Sequence, residues 1–268
     1  MDAPAAWILT EPLAGLRAQA LGLAEALGLR PVESDLARPG LWARLPARLW
    51  PASVARRAAG PRPPGARIVI GCGGKAAAAL AALRAPDLAV VQIQHPRMDP
   101  ARFDAVVVNP HDRLAGPNVI VSRTAIHRLS PARLAAEAEA WRARFAALPR
   151  PLVSVLLGGS NGRYAFGAAE AGKLGADLAA MARAGAGIAV TPSRRTDPAA
   201  VAALRAALAE ALAEARAYIW DMEGGNPYFG MLGLADGIVV TQDSVSMVSE
   251  ASATSAPVWI VRLPGRSR

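Results

Sequence analysis

The chain has 268 residues, 53% of them hydrophobic, with a formal net charge of +9 and one cysteine. That length fills one large domain or two of ordinary size around a sizeable core. Lone Cys72 excludes an intramolecular disulfide and a cysteine-based zinc cluster, and no apolar run reaches the roughly 18 residues of a spanning helix. The N-terminus has no basic stretch followed by an apolar one, so no secretion signal is read there, and a reducing, cytoplasmic compartment is expected.

The charge is local. Between Leu36 and Pro86 there is no Asp or Glu, while the span carries Arg38, Arg44, Arg48, Arg56, Arg57, Arg62, Arg67, Lys75 and Arg84. These nine cations match the whole excess, so the remainder is near neutral. Segment 38–67 interleaves them with Trp42, Trp50 and leucines. That pattern fits an anionic membrane surface, and it also fits a polyanion. An ordinary solvated arginine-rich face is the plainer reading. The aromatics are few and confined, so no nucleic acid is expected as partner.

In chain order, Trp7–Thr10 reads as a first strand, followed by the turn Glu11–Gly15 and a helix over Leu16–Leu27 closed by Gly28. Pro31–Asp35 reads as a second strand, and Pro39–Gly65 as short helical pieces and exposed loops. Arg67–Gly71 is a strand that runs through Cys72-Gly73-Gly74 into an alanine-rich helix, Lys75–Arg84. Strands are expected at Leu88–Ile93, Ala105–Val108 and Val119–Val121. Ser130-Pro131 opens a helix to about Ala147, with Ser130 as cap. Leu148-Pro149-Arg150-Pro151 reads as the domain boundary, giving domains 1–148 and 149–268. The alternation then restarts. Strands are expected at Leu152–Leu157, Gly187–Thr191, Ala217–Trp220 and Val258–Val261, with helices over Ala165–Arg183 and from Asp197-Pro198 to Ala215. Asp221–Tyr228 follows the third of these strands without an assigned element. Gly237–Thr241 reads as a buried strand leading into a helix capped by Asp243 or Ser244. Repeated βα units mean parallel sheets with helices on both faces.

In such sheets ligands sit at the carboxyl ends of strands. Three loops of the second half fall there. Gly158-Gly159-Ser160 lets backbone approach a phosphate, Ser193-Arg194-Arg195 offers guanidinium forks, and Asp243, Ser244 and Ser246 surround a helix start whose unpaired N–H groups favour an anion. Glu250, about two turns on, is a candidate acceptor for a ribose diol. Each loop alone is also an ordinary strand–helix turn. In the first half, His95 in Gln94-His95-Pro96 is a candidate general base, with Glu11 in the first loop as its rival. His111 after the next strand and His127 later read more simply as structural hydrogen-bonders than as bases. The histidines are not at ligand spacing and no Asp-x-Asp pair occurs, so no metal is expected.

These segments resemble a known architecture. Two Rossmann-like halves with a late Ser/Glu loop-helix resemble the GT-B class of glycosyltransferases, closest in style to the peptidoglycan N-acetylglucosaminyltransferases, in which that loop-helix holds a nucleotide-sugar diphosphate and a glutamate holds the ribose. Ile70-Gly71-Cys72-Gly73, Val91–Pro100 with Phe103-Asp104, Gly158-Gly159, Thr191–Arg195 and Thr241–Ala251 are similar to the mitochondrial fission "elongated mitochondria" family and its bacterial relatives. The first loop departs from that pattern. Ala14, Gly15 and Gln19 are kept, but the acid and the Asn of the family's loop do not align. The chain also stops just after a strand, where the class usually continues into helices.

The resemblance implies two α/β domains facing across a cleft and a metal-independent glycosyltransferase. Its donor would be a nucleotide-diphosphate sugar, held by Gly158, Gly159, Ser160, Ser193, Arg194, Asp243, Ser244, Ser246 and Glu250, with no separate cofactor. Its acceptor would belong to a membrane or the cell envelope, and the protein would lie peripherally on the inner membrane face through segment 38–67. The alternative is a non-catalytic membrane adaptor of GT-B shape.

Overall fold

The computed structural model describes residues 3–265. It contains two compact units, Met1–Arg128 and Leu129–Arg268. The first is built from β1 (Ala5–Thr10), α1 (Ala14–Ala26), β2 (Arg30–Asp35), α2 (Ala52–Ala59), β3 (Ile68–Cys72), α3 (Gly74–Leu83), β4 (Ala89–Ile93), β5 (Ala105–Val108) and β6 (Val119–Val121). These strands form one parallel sheet in the order β2-β1-β3-β4-β5-β6. Both faces are covered. Trp7 and Leu9 of β1 pack towards α2 and the alanines of α3, while Ala6 and Ile8 pack towards Ala20, Leu21 and Ala24 of α1. The central strands β1 and β3, buried on both faces, read as continuous apolar runs rather than alternating ones, which is why they were legible, while edge strand β2 is partly exposed and polar.

The second unit contains α4 (Pro131–Phe145), β7 (Leu152–Leu157), α5 (Ala168–Arg183), β8 (Gly187–Pro192), α6 (Pro198–Ala207), α7 (Ala209–Ala213), β9 (Ala217–Ile219), α8 (Tyr228–Leu234), β10 (Gly237–Thr241), α9 (Val245–Ser252) and β11 (Val258–Val261). Its sheet is parallel in the order β11-β10-β7-β8-β9. Along β7 the pleat divides the core. Val153, Val155 and Leu157 join α5 and α6, Leu152 joins α4 and α8, and Leu156 joins α8 and α9. The α/β class with parallel sheets is therefore as the sequence implied.

Three local differences have physical reasons. The helix expected from Asp197 to Ala215 is divided at Leu208, whose ψ of 11° leaves the helical range. The sequence reading assigns no helix between Trp220 and Gly237, yet α8 lies there. Its Gly230 and Gly233 look like breakers but are needed for close packing. A Cβ at Gly230 would meet Trp141 of α4 at 2.4 Å, and one at Gly233 would meet the Leu134 carbonyl at 2.6 Å. That same packing places α4 in the second unit, so Leu148–Pro151 connects a helix and a strand of one unit. Ser130 caps α4 as the sequence suggests, its hydroxyl accepting from the Arg133 N–H at 3.2 Å.

Candidate functional site: three loops on one sheet edge

Strands β10, β7 and β8 are neighbours and parallel, so the loops that follow them meet at one edge of the second sheet. Asp243 ties them together. Its side chain is completely buried. Oδ2 accepts from the Gly159 N–H at 3.0 Å and from Arg195 Nη2 at 2.9 Å, and Oδ1 accepts from the Thr241 hydroxyl at 2.7 Å. Thr241 Oγ1 also accepts from the Gly158 N–H at 2.8 Å. On the other side the Ser193 hydroxyl donates to the Gly158 carbonyl at 3.0 Å, and Arg195 Nη1 donates to the Gly159 carbonyl at 3.2 Å. The glycines follow from this crowding. A Cβ on Gly158 would lie 2.2 Å from the Asp243 carboxylate oxygens, and one on Gly159 would lie 2.0 Å from the Arg195 carbonyl.

Ser244 is the cap of α9, its hydroxyl accepting from the Met247 N–H at 3.4 Å. Among the described residues, the Val245 and Ser246 N–H groups have no backbone acceptor. They are the donors a helix start leaves open, and the helix dipole adds partial positive charge there. Ser246 is half-buried on the first turn, and Arg194 is exposed and makes no ion pair among the described residues. The Ser160 hydroxyl turns back on its own loop and accepts from the Phe166 N–H at 2.9 Å.

Glu250 belongs to a neighbouring cluster. It is 7% exposed, and its Oε2 accepts from the Tyr228 hydroxyl at 2.5 Å. Burial pushes its carboxyl above the ordinary value, while the Tyr228 bond and the charge of Arg133 pull the other way. Arg133 stacks over the Phe229 ring at 4.2 Å. Burial first, and then the Glu250 charge and hydrogen bond, push the Tyr228 hydroxyl well above its usual range.

In the first unit, Glu11 and His95 lie on loops after β1 and β4. Glu11 Oε1 accepts from Lys75 Nζ at 2.7 Å. Lys75 is on the first turn of α3, where Gly73 at φ +93° turns the chain out of β3. Gln94, at φ +72°, bends the chain off β4 to present a half-buried His95. The Arg97 N–H donates to His95 Nδ1 at 2.9 Å. The neutral ring then carries its proton on Nε2, which makes that nitrogen a donor rather than a base.

With this geometry in place, similarity to known proteins can be stated. The sequence profile of the family described as mitochondrial fission ELM1 matches residues 14–268. The chain belongs to that family. It is 34% identical over 223 residues to the mitochondrial fission protein ELM1 of Arabidopsis thaliana, covering 74% of this chain and 52% of the plant protein. It thus spans about half the length of that relative. Among solved structures, the UDP-GlcNAc 2-epimerase of Neisseria meningitidis bound to UDP-GlcNAc is similar with a TM-score of 0.56 and 12% identity, over 96% of this chain and 81% of that one. LpCGTa in complex with UDP gives 0.52 and 13%, over 96% and 79%. A glycosyltransferase from Rickettsia africae gives 0.51 and 11%, over 99% and 81%. At such identities the likeness is one of fold, and the fold is GT-B-like.

The structure joins Gly158, Gly159, Ser193 and Asp243 in one hydrogen-bonded knot and sets Ser244 and Ser246 directly after it. Glu250 and Ser160 are bonded elsewhere. Sequence reasoning offered both arginines of Ser193-Arg194-Arg195 as guanidinium forks and kept Arg194 alone in the donor set, whereas it is Arg195 that ties the loops. Thr241, Thr196 and Tyr228 were also passed over. Thr196, just past the quoted Thr191–Arg195, accepts from the Ser193 N–H at 2.8 Å and also donates to the Gly158 carbonyl, while Thr241 opens the quoted Thr241–Ala251 stretch and links Asp243 to the Gly158 N–H; only the bonds to the Gly158 loop leave no local signal. Among the described residues no group of three or more His, Cys, Asp or Glu is placed to hold a metal ion, and no helix is long and apolar enough to cross a membrane.

Proposed function

We propose that the second unit binds a nucleoside-diphosphate sugar and that the protein transfers the sugar to a membrane or envelope acceptor. The single observation that carries this reading is the open start of α9. Two N–H groups, the Ser246 hydroxyl and unpaired Arg194 stand beside a glycine loop that Asp243 holds rigid. A diphosphate is the ligand such a start favours, and as leaving group it gains from the same donors without a metal. Glu250 would accept from the ribose through the carboxylate oxygen not bonded to Tyr228. Glu11 would serve as base in the first unit, since His95 Nε2 is arranged to donate. UDP stands first among donors because two of the similar structures hold UDP or UDP-GlcNAc.

The test is thermal unfolding of the whole chain with UDP, GDP, CDP, ADP and dTDP and their sugars. A nucleotide at about 100 times its dissociation constant adds roughly 2.7 kcal/mol to stability. The expected result is a shift with one nucleotide, weakened in Glu250→Ala. Absence of any shift would sink the reading. One observation favours a second reading, a non-catalytic membrane adaptor: Asp243, Ser160 and one oxygen of Glu250 are all committed to internal bonds. An adaptor would show no nucleotide shift while still binding vesicles.

A further inference from the structure

The nine cations between Leu36 and Pro86 are not equivalent once folded. Arg62 pairs with Asp87 at 2.7 Å, Lys75 with Glu11 at 2.7 Å and Arg84 with Asp104 at 3.7 Å, and Arg56 donates to the Ala82 carbonyl at 2.7 Å. Among the described residues, Arg38, Arg44, Arg48, Arg57 and Arg67 have no such partner. Four of these five fall between residues 38 and 57. The two tryptophans separate as well. Trp50 is 7% exposed and its Nε1 donates to the Trp42 carbonyl at 2.8 Å, which anchors the segment to the core. Trp42 remains 38% exposed, beside Leu41 at 78%, Leu45 at 45% and Leu49 at 55%. Leu41 and Trp42 sit on one short 3₁₀ turn, Gly40–Arg44, Leu45 follows it directly, and Leu49 ends a second, Ala47–Leu49. A groove of about 430 Å³ lies between the first turn and α2, lined by Arg38, Trp42, Val54 and Arg57.

We infer that this groove binds the phosphate of an anionic phospholipid headgroup, with Leu41, Trp42, Leu45 and Leu49 entering the interfacial layer. Two unpaired guanidinium groups at one groove match a phosphate in charge and in hydrogen-bond geometry. Exposed leucines beside a half-exposed tryptophan suit the boundary between headgroup and acyl chain, where amphipathic side chains gain from both media. A nucleic acid would use the arginines but give the leucines nothing to enter. This inference deepens the membrane side of the proposed function and is independent of the donor site.

The experiment is sedimentation of the whole protein with vesicles of phosphatidylglycerol and phosphatidylcholine, or of phosphatidylcholine alone. Three variants are compared: Arg38→Ala/Arg57→Ala, Leu41→Ser/Leu45→Ser, and Arg102→Ala/Arg123→Ala, which removes two exposed charges elsewhere on the unit. Wild type is expected to bind the anionic vesicles and not the neutral ones. Two basic residues at an anionic surface are worth about 30-fold in partition, so the first variant should lose about that much and the control a small part of it. The leucine variant should also lose binding while its melting temperature stays near wild type. Equal losses in the first variant and the control would mean bulk charge alone and would overturn the inference. So would failure of wild type to bind, or RNA binding with the same dependence on Arg38 and Arg57. Nucleotide-induced shifts measured on the same variants keep the two proposals separable. Vesicle binding through the groove without any nucleotide shift removes the transferase and leaves this inference standing.

Discussion

Replacing Asp243 with alanine is expected to lower the unfolding free energy by about 3 kcal/mol and to abolish any nucleotide-induced shift. The carboxylate touches no solvent, and its removal strands the Gly159 N–H, the Thr241 hydroxyl and one arm of Arg195. Breaking a buried pair commonly costs about 3–5 kcal/mol. The lower figure applies because Arg195 is 45% exposed and can rehydrate. Asp243→Asn keeps the shape and one acceptor but turns an amide towards Arg195 or Thr241, so an intermediate loss is expected. Urea unfolding of the three proteins reads this directly. An alanine variant with the wild-type midpoint would show that the loops are held by their glycine contacts and by Ser193 instead. In the expected case the ligand effect arises without any carboxylate–phosphate contact, because Asp243 shapes the loop that presents the donors.

Glu250→Gln is expected to match wild type near pH 4 and to exceed it in melting temperature at pH 8. Burial lifts the native carboxyl above its ordinary value of 4.5, more than Tyr228 and Arg133 lower it. The native state therefore holds its proton where the unfolded chain has lost it. Stability falls as pH rises from 4.5 through the native value and stays lower above it. Glutamine accepts the Tyr228 hydroxyl without that loss. Glu250→Ala leaves this hydroxyl with no acceptor and is expected to lie about 1–3 kcal/mol below the glutamine variant at every pH. A glutamine variant that instead weakens steadily against wild type as pH rises would mean that Arg133 governs the site and that burial does not. The glutamine variant also isolates function. A carboxylate needed for a ribose diol gives a variant that is at least as stable yet binds nucleotide less well.

The central strands were legible because parallel strands buried on both faces cannot hide their apolar runs, while the edge strands β6 and β11 are partly exposed yet keep short apolar, β-branched runs. Leu152–Leu157, Ala105–Val108, Val119–Val121 and Val258–Val261 stand where the sequence puts them. Ser130 and Ser244 were legible as caps because the hydroxyl bonds within three residues. Local signals end where a bond crosses the fold. Gly230 and Gly233 look like a loop until Trp141 and Leu134 are seen packed on them. Asp243 looks like a cap until its three partners, on the loops after β7 and β8 and on β10, are seen. The candidate Glu250 was found by its distance along a helix, while Tyr228, which holds it, lies on an element with no periodic pattern. Likewise the basic segment was found as a charge run. Only folding sorted its paired arginines from its open ones.

The order of the second sheet has a consequence for how the chain is made. β7 emerges first and lies in the middle; β8 and β9 add to one side, and only later do β10 and β11 add to the other. During synthesis the chain therefore carries β7 with one ladder complete and its opposite edge bare. That bare edge is a template for any extended strand nearby, including another nascent chain. The strand that finally covers it is β10, whose Thr241, with Asp243 on the loop just after it, closes the three-loop knot. Completion of the three-loop edge and protection from misassociation are the same late event, so a mutation that slows docking of β10 should appear first as insoluble protein and only afterwards as loss of the proposed nucleotide-induced shift.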